Sequence, residues 1–98
     1  MTETTQKLTL ANIKILDGSN YRIWAARMRS ELTAESLWET VKPSRTLASN
    51  GLDEDERKIK HAKAFNMILR TVNDYYAAEI LKYHDRPEIA WAKLEDIQ

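Results

Sequence analysis

The stretch "LDGSNYRIWAARMRSEL", residues 16–32, decides how the rest of the chain is read. Asp17-Gly18-Ser19-Asn20 is turn chemistry, and Ser19 or Asn20 is the expected cap for the free amides of a helix that follows. Tyr21, Trp24, Ala25, Met28 and Leu32 then recur at i, i+3, i+4, i+7 and i+11, which is one face of a helix. Arg22, Arg29 and Ser30 project elsewhere. Arg27 and Glu31 stand at the i, i+4 spacing of a helical ion pair, in the less favourable order.

Working outward, the same helical period recurs between breaks. Only two glycines and two prolines occur, at Gly18, Gly51, Pro43 and Pro87, and each sits where the periodicity fails. A short helix is predicted at 34–41, with Leu37, Trp38 and Val41 on one side, and Pro43 ends it. Residues 42–52 form a polar loop, expected to be mobile. Asp53-Glu54-Asp55-Glu56 opens the longest helix, where acidic residues complement the positive helix start. Ala64, Ile68 and Val72 make its stripe. Phe65 and Leu69 widen it and Met67 lies on a third side, so this helix is either central or carries an interface. Asn73-Asp74 breaks the pattern, and a fourth helix is predicted over 74–83, with Ala77, Ile80, Leu81 and His84 on one side. Pro87 suits the first turn of a fifth helix, along which Ala90, Trp91, Leu94 and Ile97 share a face.

Upstream, residues 1–7 read as a tail and 8–16 as an extended segment, a short strand or hairpin, with Leu8 and Leu10 on one parity and Ile13 and Ile15 on the other. The reading is therefore all-α: a compact bundle of about five helices over 13–98, preceded by a flexible or extended segment over 1–12. The pattern is still running at Gln98, which predicts a domain taken from a longer protein.

Composition narrows the function. The 98 residues suffice for one small core, and 43% hydrophobic with 31% charged is the balance of a globular chain. Fifteen basic and fifteen acidic residues cancel, whereas a dedicated nucleic-acid binder carries a basic excess. The absence of cysteine removes thiol nucleophiles, disulfides and cysteine-ligated zinc. "MTETTQK" has no apolar core and so no visible secretory signal. No apolar run approaches the roughly 20 residues of a membrane span. The expected location is the cytoplasm or the nucleus.

Chemistry-bearing constellations are sparse. His61 and His84 have no metal-ligand spacing. The 53–56 acidic run lacks the loop pattern of a calcium site and reads as helix-start charge. No nucleophile elbow or glycine-rich phosphate loop is present. The expectation is no catalysis, no cofactor and no metal. Tyr21, Trp24, Met28, Leu32, Leu37, Trp38, Ile68, Val72, Trp91 and Leu94 read as core, with the three tryptophans drawing the first, second and last helices together. Arg22 and Arg29, with Lys14 nearby, read as a solvated face or a site for phosphate or carboxylate.

The ordered set Leu16-x-Gly18-x-Asn20-Tyr21-x-x-Trp24, Met28, Leu32, Leu37-Trp38-x-x-Val41, Lys63-Ala64-x-x-x-Ile68-x-x-x-Val72 and Ala90-Trp91-x-x-Leu94 resembles the N-terminal part of Gag from copia-type LTR retrotransposons. Arg86-Pro87 departs from the usual Thr-Ala or Ser-Ala start of the last helix. The resemblance implies a fold like the N-terminal domain of retroviral capsid. It implies a structural role: self-association into the hexamer and pentamer lattice of a virus-like particle that packages element RNA. The implied partners are copies of itself and the second capsid domain of the parent Gag, with RNA held only by a downstream region. By analogy, Arg22 and Arg29 on the first helix, and Phe65, Met67 and Leu69 on the third, are the candidate self-association surface. The alternative is a domesticated Gag-derived helical module that docks a protein or peptide partner and regulates a live element.

Overall fold

The computed structural model describes residues 13–42 and 53–98. The expectations for residues 1–12 and for the loop over 43–52 lie outside the described residues. Five α-helices are formed: α1 (Tyr21–Ala34), α2 (Trp38–Val41), α3 (Glu54–Leu69), α4 (Asp74–Ile80) and α5 (Pro87–Asp96), with a 3-10 turn (Leu81–Tyr83) after α4. No strand occurs among the described residues. The all-α bundle read from the periodicity is the architecture observed.

Each helix starts and stops for a local reason. Asn20 occupies the cap position of α1, yet its side chain makes no capping bond. It turns back instead: Oδ1 accepts from the Asp17 amide at 3.1 Å and Nδ2 donates to the Ile15 carbonyl at 3.0 Å. The Ser19 amide and hydroxyl both donate to Asp17 Oδ1, at 2.9 and 2.7 Å. The expected cap is thus spent on tightening the turn.

At its other end α1 closes in a Schellman turn, with Leu37 N–H bonded to Leu32 C=O at 2.7 Å and Ser36 N–H to Thr33 C=O at 3.0 Å. Ser36 takes φ +62 there, where glycine is usual. This turn separates α1 from α2, which shortens the predicted 34–41 helix to Trp38–Val41.

Asp53 caps α3 in a full capping box with Glu56. Asn73 Oδ1 accepts from the Tyr76 amide at 3.0 Å and starts α4. Pro87 stands in the first turn of α5. The predicted 74–83 helix stays α-helical only to Ile80. The tighter 3-10 winding leaves Leu81 57% exposed and His84 on the surface, so neither joins Ala77 and Ile80 on the inner side.

The upstream segment joins the domain through Leu16. Its amide donates to Thr71 C=O at 2.9 Å and its carbonyl accepts from Asn73 N–H at 3.0 Å, a one-residue parallel bridge to Val72. Ile13 and Leu16 are buried and Ile15 is exposed, so the strand-like alternation expected there does not persist. Trp24, Met28, Leu32, Leu37, Val41, Ala64, Phe65, Ile68, Val72, Tyr76, Ile80, Ala90, Trp91 and Leu94 complete one core with them. Helix α3 is its central element, in contact with α1, α2 and α5. None of the helices is long and apolar enough to cross a membrane among the described residues.

Candidate self-association surface

Everything on the inner face of α1 goes to the core. Trp24, Met28 and Leu32 are buried, and Tyr21 is half-buried. The Trp24 and Trp91 rings stack at 5.3 Å between centroids with a 26° tilt. Trp38 meets Trp91 edge-on at 5.4 Å, and Tyr21 lies 6.1 Å from Trp24. Aromatic pairs in these offset and edge-on geometries add roughly 0.5–1.5 kcal/mol each beyond burial. The tryptophans thus tie α1, α2 and α5 together, as their spacing implies. Burial raises the Tyr21 phenol to about 12, and the nearby Glu95 carboxylate adds to the shift. Trp24 Nε1 is buried without a hydrogen-bond partner among the described residues.

The candidate surface residues divide. Arg22 and Arg29 are exposed, at the edge of α1 away from the core. The Arg29 guanidinium lies over the Trp38 ring, 5.0 Å from its centroid, so part of its charge faces an aromatic of its own domain. Phe65 does not belong to an outer surface. It is 5% exposed and sits in the core, because α3 is packed from several sides at once. Met67 and Leu69 are half-buried against that core. The wide apolar girth of α3 is consumed by its central position.

The opposite face of α1 holds a feature the sequence reading passed over. A shallow groove of about 880 Å³ is lined by the Gly18–Asn20 turn, Tyr21, Arg22, Ile23, Ala26, Arg27 and Gln98. Ile23 is 60% exposed. Helical spacing sets Ile23 off the stripe of Tyr21, Trp24, Met28 and Leu32, so an isoleucine on the polar face is the available signal. Arg22 and Arg27 are the only charged side chains in the groove lining, and neither has a hydrogen bond or ion pair among the described residues. Arg27 makes no ion pair with Glu31 despite the spacing; among the described residues ion pairs join Lys42 to Glu95 at 3.6 Å and Lys93 to Glu79 at 3.9 Å. Such exposed pairs contribute little.

No group of three or more His, Asp or Glu side chains among the described residues is arranged to hold a metal ion. His61 Nδ1 lies 3.4 Å from the Asp85 carbonyl, and His84 is exposed.

Residues 16–42 match the family model described as "Domain of unknown function (DUF4219)". This domain is found in retrotransposon Gag-like proteins. The match runs from the bridge residue Leu16 through α1 and α2 to Lys42, the segment that holds the turn, Trp24 and Trp38. No curated protein and no solved structure matches the chain.

Proposed function

We propose that this chain is a structural capsid domain of copia-type Gag, one that associates with copies of itself into the shell of a virus-like particle. The observation that carries this reading is the family match over 16–42. It falls on the Gly18-x-Asn20-Tyr21-x-x-Trp24 and Leu37-Trp38-x-x-Val41 elements on which the resemblance to Gag rests. The packing is compatible with it: those residues join α3 and α5 in one helical core and leave the outer face of α1 open. In this reading the balanced charge assigns RNA to another region of the parent protein, and the particle works in the cytoplasm or nucleus.

Lattice contacts between such domains are individually weak, so association belongs at high concentration. The test is molar mass by light scattering from micromolar to millimolar, with electron microscopy of the most concentrated sample. Mass that climbs with concentration, together with rings, sheets or shells, is the expected result. A constant monomer mass across that range overturns the proposal for this chain and favours the domesticated binding module. Tight RNA binding by this chain, lost steeply with salt, would contradict the division of labour.

A further inference from the structure

The outer face of α1 has a counterpart elsewhere on the molecule. Asp53 to Ile59 at the start of α3 are all exposed, and Ile59 is 56% exposed. The buried residues of α3 begin only at Ala64. The first turns of this helix therefore stand clear of the core, held helical by the Asp53–Glu56 capping box. They present four consecutive carboxylates followed by an exposed isoleucine, with Arg57 and Lys58 between. Glu54 and Asp55 have no side-chain partner among the described residues.

The two patches lie at opposite ends of the domain. The C-terminal end of α3 is tied to the start of α1 by the Leu16–Val72 bridge. The N-terminal half of α3 lies near the end of α1, where Lys60 Nζ reaches the Ser36 carbonyl at 3.4 Å. With about 1.5 Å of rise per residue, α3 spans roughly 24 Å, so its acidic start cannot reach the Arg22–Arg27 groove of its own chain.

Resting on the self-association reading above, we propose that the acidic start of α3 in one copy docks in the α1 groove of the next. Glu54 and Asp55 meet Arg22 and Arg27, and Ile59 packs toward Ile23. The occupant is a second copy because charge complementarity selects it: a groove charged only by arginines faces a helix start rich in carboxylates. The contact joins two different patches, so it is heterologous, and successive copies form a closed ring or an open row.

The test uses two charge-reversed chains, Arg22→Glu/Arg27→Glu and Glu54→Lys/Asp55→Lys. The second leaves the capping box residues Asp53 and Glu56 in place. Thermal melts confirm that both fold, and sedimentation velocity measures association at low and high salt. Wild-type association is expected to weaken as salt screens the charges. Each variant alone is expected to associate at least about tenfold more weakly, and an equimolar mixture to recover, because each reversed patch then finds its opposite. Variants that associate like the wild type, or a mixture that stays dissociated, overturn this docking pair and leave the capsid reading intact. A wild type that remains monomeric to millimolar concentration overturns both.

Discussion

Gly18 is constrained twice, by its backbone and by its neighbour. Its φ is +94, and a Cβ built there meets the Tyr76 hydroxyl at 2.8 Å. Gly18→Ala is expected to lower stability by about 1–3 kcal/mol in urea denaturation, from backbone strain with the clash in addition. In a Tyr76→Phe background part of that loss is expected to disappear, because the clashing oxygen is gone and only the strain remains. Trp24 is the second such residue. It is 1% exposed and stacked on Trp91. Trp24→Ala is expected to cost about 3–5 kcal/mol, enough to unfold a marginal domain; an unchanged melting temperature would remove Trp24 from the core. Tyr21 sets an alkaline limit. Its folded phenol is raised from 10.0 to about 12 by burial and by Glu95, so the neutral ring favours the folded state. That contribution is complete below pH 10 and is lost as pH rises through about 12. Denaturation midpoints measured across this window are expected to fall less in Tyr21→Phe than in the wild type. At the acid side, hydrogen bonds from the Ser19 hydroxyl and amide hold the Asp17 carboxyl below its ordinary value, so its contribution is present above that value and fades as pH falls through the lowered one.

Among the helices, what the sequence made legible was period, and what it hid was punctuation without glycine or proline. The α3 start could be read because Asp53 and Glu56 stand at capping-box spacing. The end of α1 could not, because Ser36 does a glycine's work in the left-handed region. Ser36→Gly is therefore expected to stabilise the domain, by up to about 1 kcal/mol once the residue's own backbone strain is relieved, read as a rise in melting temperature. The same blindness explains Leu81: nothing in "AAEILKYH" announces that the winding tightens after Ile80, so a helical projection carries Leu81 and His84 inward when they are outside. Phe65, Met67 and Leu69 show the converse limit. Periodicity revealed that α3 is apolar on several sides, but only the arrangement of its neighbours decides whether that girth meets other helices or another molecule. The candidate site was legible in half its parts. Arg22 follows from its position off the apolar stripe, whereas the groove beside it depends on where Gln98 and the Gly18–Asn20 turn come to lie.

For the molecule as a whole, the core is continuous from Ile13 to Leu94, and the family match covers the part that contributes the first two tryptophans. The third, Trp91, comes from the far end of the chain. Helices α1 and α2 therefore complete their packing only when α5 arrives, and the matched segment does not make a closed core by itself. Its inner face needs α3 and α5, while its outer face supplies the charged groove.

The aromatic cluster also equips the protein with an optical signature. All three tryptophans of the chain stand in one contiguous group, two of them stacked at 5.3 Å and the third edge-on at 5.4 Å. Indoles that close couple their electronic transitions, so near-ultraviolet circular dichroism reports on the seam between α1, α2 and α5. Because that seam lies within the core, a change in this spectrum signals that the fold itself has opened.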